Sequence, residues 1–241
     1  ILIIGESCTD VFHYGSCKRL CPEAPVPVFN SSGIASNGGM AMNVYNNVNI
    51  LGGNPNLITN TNWESITKTR FVDHRTNHMF MRLDENDKEY GRCDVEALDF
   101  DSYDAVIVSD YNKGFLTMED LGFISRQHHL VFLDTKKILG KWCKDYSFIK
   151  INIDEYERTK DTVDEQIRNN LIITKGSDGC SYRGKDYKVP LVEVKDTSGA
   201  GDTFISGLCV EYCRTRDIEA SLKFANDCST QVVQKMGVAT L

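Results

Sequence analysis

Apolar positions along the chain change their rhythm three times. Ile1 to Gly5 is an unbroken apolar run of the length of a buried strand, and Asp10 follows it at the strand's carboxyl end, where open α/β sheets bind ligands. Phe12 to Tyr14 and Val26 to Phe29 read as short strands. The segment between them, Cys21-Pro-Glu-Ala-Pro-Val-Pro27, is too rich in proline for a helix or central strand. After Asn37-Gly38-Gly39 the period becomes helical, with Ala41, Val44, Tyr45, Val48 and Leu51 on one face and Gly52-Gly53 as the stop. Asn54 to Ser65 is polar and weakly patterned. Lys68 to Val72, Met79 to Leu83 and Lys88 to Arg92 read as short strands of an antiparallel flap outside the main sheet.

From Ala105 strands and helices alternate. Ala105 to Ser109, Leu130 to Asp134, Ser147 to Asn152 and Leu171 to Lys175 are strand candidates, and Thr117 to Gln127 is a helix candidate. A short strand at Ser181 to Arg183 and a loosely alternating one at Lys188 to Val194 follow. Two helices, about 200–214 and 218–235, close the chain. Near-continuous apolar strands alternating with helices predict an α/β fold with a mostly parallel sheet covered on both faces. No repeat or linker divides residues 1–241, so one domain is expected.

Composition narrows the function classes. A formal charge of −7 with scattered Lys and Arg argues against nucleic acid as a partner. No apolar run approaches the ~20 residues that span a bilayer, and Ile1-Leu-Ile-Ile4 is too short for a signal sequence, so neither a membrane partner nor secretion is expected. Nine scattered cysteines read as reduced cytoplasmic thiols, small core residues rather than a zinc site.

The chemistry concentrates in Asp196-Thr-Ser-Gly-Ala-Gly-Asp-Thr-Phe204, a glycine turn running into an apolar helix. Backbone N–H groups of Gly199, Ala200 and Gly201 would point along the helix axis, where the dipole also favours an anion. Asp202, in the first turn, is placed to take a proton from an attacking hydroxyl, or simply to complement the helix dipole. Ile173-Thr-Lys-Gly-Ser-Asp-Gly179 is a strand entering a glycine-rich turn that suits either nucleotide phosphates or a hairpin. Asn152 and Glu155 lie one helical turn apart at a helix start, as groups orienting Mg²⁺ through water or as a capping box. Ser109-Asp-Tyr-Asn-Lys-Gly114 and Asp134-Thr-Lys136 bring acids and lysines to adjacent strand ends, as a site or as salt bridges. Gly33-Ile-Ala-Ser-Asn-Gly38 lacks the Lys-Ser/Thr of a phosphate loop, and no Gly-x-Gly-x-x-Gly follows the first strand.

Taken together these motifs resemble the ribokinase-like, or PfkB, carbohydrate kinases. Asp196 to Asp202 is similar to that family's C-terminal signature, Gly38-Gly-Met-Ala-Met-Asn43 to its N-terminal motif, and Asn152-Ile-Asp-Glu155 to its Asn-x-x-Glu motif. Within the family, Cys21 to Val28, Arg82-Leu-Asp84, Ser109 to Gly114 and Gly237-Val-Ala-Thr240 look most like the heptose 7-phosphate kinases. The resemblance implies a ribokinase-like three-layer fold with a small antiparallel β lid, from about 11–30 and 68–92, and an ATP-dependent transfer of the γ-phosphoryl group to a sugar hydroxyl. For a heptose 7-phosphate the acceptor would be the anomeric hydroxyl; fructose, ribose or adenosine are the alternative acceptors, and a non-catalytic binding descendant is the alternative of another class.

By the same resemblance Asp202 would be the base and Gly199, Ala200 and Gly201 the anion hole. Asp10, Gly39 and Asn43 would bind sugar hydroxyls, with Arg82 and Lys136 on a substrate phosphate. Thr174, Lys175, Gly176 and Gly179 would line the ATP site with Asn226 near adenine, and Asn152 and Glu155 would organise Mg²⁺. A homodimer contact through the lid is implied as an option. Relatives are longer: a strand and helix unit is expected to be missing between about Asn54 and Lys68, with trimming near 94–102 and 157–164, and no adenylylating second domain is expected.

Overall fold

A computed structural model describes residues 1–235 and 240–241. Gly237, Val238 and Ala239 of the Gly-Val-Ala-Thr motif therefore lie outside the described residues.

The strands are β1 (Leu2–Gly5), β2 (Ser7–Leu20), β3 (Pro27–Met40), β4 (Asn56–Ile58), β5 (Thr67–Asp73), β6 (Met79–Glu85), β7 (Val106–Asp110), β8 (Val131–Thr135), β9 (Phe148–Asn152), β10 (Leu171–Thr174), β11 (Cys180–Tyr182) and β12 (Lys185–Tyr187). The helices are α1 (Ala41–Ile50), α2 (Met118–Ile124), α3 (Ile153–Thr159), α4 (Glu165–Asn170), α5 (Ala200–Thr215) and α6 (Ile218–Val232). The main sheet runs β12-β11-β10-β9-β8-β7-β1-β4, parallel from β10 to β4, with β11 and β12 antiparallel at one edge.

Strand pleating sorts alternate residues into two cores. Ile1, Ile3, Ile107 and Phe132 pack with Val44 and Val48 of α1, Phe204 and Leu208 of α5 and Leu222 of α6. Leu2, Ile4, Val106, Val108, Val131 and Leu133 face the other way, against Leu121 and Ile124 of α2 and Ile167 of α4. The result is three layers, with helices on both faces of the mostly parallel sheet.

A four-stranded sheet, β3-β2-β5-β6, stands apart from the main one. β2 pairs antiparallel with β3 and β5 antiparallel with β6, while β2 and β5 run parallel. Its strands are longer than expected: β2 and β3 each span 14 residues, so Asn37-Gly38-Gly39 is strand and not a turn. The chain leaves β3 for α1 through Met40, whose φ of 61° is unusual for a side-chain-bearing residue. The Ala41 N–H donates to the Glu6 carbonyl just beyond it, at 2.9 Å, which fixes that corner.

Four expectations need correction. Lys88 to Arg92 is not a strand; Asn86 turns the chain at φ 56° and Tyr90 is buried, donating to Asp87. Lys188 to Val194 is not one either, because after β12 the chain leaves the sheet and Pro190 has no N–H to give a ladder. The stretch 54–65 holds β4, which extends the parallel sheet beside β1. α2 ends at Ile124, short of the expected Gln127, and begins at a Thr117–Asp120 capping box. No helix among the described residues is long and apolar enough to cross a membrane.

Candidate active site

The site is built where β1, β7, β8 and β9 end and α5 begins. Gly199, the α5 N-cap, has φ 80°, a left-handed conformation at which a side chain would be strained. No side chain caps the helix. The three amides are not equally open, since the Ala200 N–H leans on the Thr197 carbonyl at 3.3 Å. Asp196 braces the turn by accepting from the Ser198 N–H at 2.8 Å.

Asp202 follows in the first turn and is 4% exposed. Its Oδ2 accepts from Asn43 Nδ2 at 2.9 Å and its Oδ1 from the Tyr111 hydroxyl at 2.6 Å. Burial pushes its carboxyl up to about 6; Asn43 and Tyr111 oppose the rise by hydrogen bonding, Asp134 adds to it, and Lys150 opposes it. Asp134 and Lys150 sit beneath, on β8 and β9, as a buried pair at 2.8 Å. The Lys150 ammonium lies 2.7 Å from where a Cβ on Gly201 would stand, directly under the helix start.

On the lid side, Asp10 pairs with Arg70 of β5, and Arg70 also stacks over Phe12. Gly39 lies beside Asp10: a Cβ there would stand 2.1 Å from Asp10 Oδ2, so only glycine admits the carboxylate. Asn43 is fully buried and committed to Asp202, with its own oxygen accepting from Asn47 Nδ2. Arg82, expected on a substrate phosphate, is bonded to Asp84 through Nε and Nη2 at 2.6 and 2.7 Å on the exposed strand β6. Lys68 and Lys113 both reach Asp87, at 2.7 and 2.6 Å, tying the lid to the loop after β7.

On the other side of the α5 start lies a cleft of about 190 Å³. Thr174, Gly176, Gly179 and Asn226 line it, and it runs past Val192 and Phe204 to Ala200 and Gly201. Lys175 is not brought to the cleft. Its N–H closes the turn onto the Gly179 carbonyl at 2.7 Å, while its ammonium pairs with Asp186 at the surface. Asn226 spends its amide on the Tyr187 carbonyl, at 2.8 Å.

Asn152 and Glu155 form the capping box: Asn152 Oδ1 accepts from the Glu155 N–H and Glu155 Oε2 from the Asn152 N–H, each at 2.8 Å. Glu155 Oε1 meets the Lys136 ammonium, so the residues expected for metal and phosphate are paired with each other. Burial pulls the Lys136 amine down, but Asp134 and Glu155 outweigh it and the net shift is upward. An ammonium stands where a metal would approach Glu155. The pair as built does not fit direct Mg²⁺ ligation, and no group of three His, Cys, Asp or Glu side chains among the described residues does.

Sequence reasoning assigned no role to Tyr111, Arg70 or Lys150. A lysine between Ile149 and Ile151 on a buried strand was itself a signal, since a buried charge needs a partner.

Residues 139–241, which carry the α5 turn, the cleft and the capping box, match the family model of the pfkB family carbohydrate kinases. The match covers 103 of the 241 residues. Over its whole length it is 29% identical to the bifunctional protein HldE of Sulfurimonas denitrificans, covering 62% of that protein, and at 99% coverage 28% identical to the HldE of Helicobacter pylori strain J99, covering 64%. The chain thus spans less than two thirds of the curated relatives it matches. The first alignment runs over 297 positions, so stretches of that relative have no counterpart in this chain of 241 residues. The fold is similar to ribokinase from Thermotoga maritima (TM-score 0.73, 15% identity, 98% of this chain and 93% of that one) and to a nucleoside kinase from Methanocaldococcus jannaschii (0.71, 18%, 98% and 93%).

Proposed function

We propose that this chain is an ATP-dependent sugar kinase that transfers the γ-phosphoryl group of ATP to an acceptor hydroxyl, with Asp202 as the base. One observation carries the reading: the apolar cleft ends at Ala200 and Gly201, so a nucleotide lying in it would put its terminal phosphate at the start of α5, beside the Asp202 carboxylate. Its phosphates would meet the first-turn amides of α5, and the Lys150 ammonium below them adds positive charge. The acceptor would enter from the lid side, past Asp10 and Gly39. Its hydroxyl proton passes to a carboxylate oxygen of Asp202 as the oxygen attacks the γ-phosphorus, and ADP leaves. A carboxyl near 6 is mostly ionised at neutral pH yet basic enough to accept that proton.

Mg²⁺ is the cation expected to accompany ATP and offset its phosphate charge. For the acceptor, the two HldE relatives and the Pro22–Val28 and Ser109–Gly114 segments favour the anomeric hydroxyl of a heptose 7-phosphate over a hexose, pentose or nucleoside. All nine cysteines are free thiols, which supports a reducing, cytoplasmic setting. Exposed Ile34, Met79, Met81 and Leu83 on lid strands support a dimer contact there.

ADP release with Mg·ATP against a heptose 7-phosphate, fructose, ribose and adenosine tests the proposal. Selective turnover on the heptose phosphate is expected, and Asp202→Asn should keep ATP binding while lowering turnover by roughly 10²–10⁴-fold. Full activity of that variant would remove Asp202 from the base role.

A further inference from the structure

The loop after β7 delivers one side chain to the reacting centre that the sequence motifs left without a role. We propose that Tyr111 is a positioning residue that holds the Asp202 carboxylate ionised and aimed at the acceptor hydroxyl, a role that rests on the reading of Asp202 as the base.

Three contacts fix Tyr111 from three directions. Its backbone N–H donates to Glu6 Oε2 at 2.8 Å, and the Lys113 N–H donates to Glu6 Oε1 at 2.9 Å, so one buried carboxylate clamps the loop on both sides of the tyrosine. The Lys136 ammonium lies 5.5 Å from its ring centroid, within cation–π range, and is itself held by Glu155. The hydroxyl then has one partner, Asp202 Oδ1 at 2.6 Å, a length expected of an O–H bonded to a charged oxygen.

The arrangement leaves the base usable. Asn43 and Tyr111 take one lone pair on each carboxylate oxygen, and the second pair on each remains for the substrate. Burial, reinforced by Asp202, Asp134 and Asp10, pushes the phenol well above its ordinary value, so it remains a donor throughout the pH range in which Asp202 titrates. Charged groups also act on Asp202: Asp134 from β8 disfavours its ionised form, Lys150 from β9 favours it, and the Lys136 ammonium lies within electrostatic reach. Tyr111 and Asn43 therefore share the task of keeping a fully buried carboxylate charged.

The test is a ¹³C carboxyl NMR titration of Asp202 in the full chain, assigned with Asp202→Asn, for the unmutated protein and for Tyr111→Phe, which keeps the ring beneath Lys136. The midpoint should lie near 6 and move up by at least about one pH unit in Tyr111→Phe. An unmoved midpoint overturns the proposal. In the unmutated chain the Tyr111 Cζ resonance should follow the same titration, and indifference to it would also overturn the proposal. In turnover assays the acid limb of kcat/KM should shift with the midpoint, with kcat at neutral pH falling about tenfold and acceptor KM nearly unchanged. A shifted midpoint in a chain that phosphorylates no acceptor would support the Tyr111–Asp202 coupling and count against the kinase reading alone.

Discussion

Asn43 donates its side-chain amide to Asp202 across 2.9 Å, although 159 positions separate them in the chain. Asn43→Ala should leave Asp202 Oδ2 without its donor, lower kcat at neutral pH by about 10-fold or more, and cost about 1–3 kcal/mol of stability. Steady-state kinetics and urea unfolding check it; an unchanged kcat would mean that this hydrogen bond is irrelevant to turnover.

If Asp202 is the base, as proposed, activity should fall about tenfold per pH unit as the pH drops below about 6, where its carboxylate takes up a proton. The same shift has a cost in stability. A carboxyl raised from 3.8 to about 6 favours the protonated native state, so the penalty is absent below about 4, grows between 4 and 6, and is complete above 6. Two units correspond to an order of 3 kcal/mol. Asp202→Asn should therefore raise the melting temperature at pH 8 and leave it nearly unaltered at pH 4. Equal effects at both pH values would contradict a buried, strained carboxylate.

Gly39→Ala should damage one substrate and spare the other. The added Cβ would stand 2.1 Å from Asp10 Oδ2 and push that carboxylate off Arg70. Acceptor KM should rise more than about tenfold while ATP affinity, read by titration calorimetry, stays put. Equal loss of both would point to general unfolding of the lid.

Gly179→Ala is the complementary case. At φ 81°, with a Cβ aimed 2.1 Å from the Tyr187 carbonyl, alanine would displace the group that anchors Asn226 in the cleft wall. A stability loss of about 1–3 kcal/mol and weakened ATP binding are expected. Unaltered ATP affinity would remove this turn from the nucleotide site.

Much of this was legible in sequence because it was local. The Gly199–Asp202 turn, the α1 and α5 faces and the strands from Ala105 onward each declare themselves within a few residues. What was hidden depended on partners. β4 is only three residues long and is defined by β1, and β3 is exposed from Asn30 to Ser36, so no alternation marked its length. The Asn152–Glu155 pattern fitted a metal and a cap equally until Lys136 was found across from it. Tyr111 sat inside a motif of interest, but nothing in its neighbours announces a bond to a residue on α5.

The placement of Asp202 on the penultimate helix has a consequence for how the protein comes into being. Its two donors are on α1 and on the loop after β7, so the site is assembled only once segments far apart in the chain have been brought together. On the proposed function, a nascent chain lacking α5 would have no means to spend ATP, however well its earlier strands have formed. Recovery of turnover during refolding should accordingly mark closure of the longest loops and trail the return of helix and sheet.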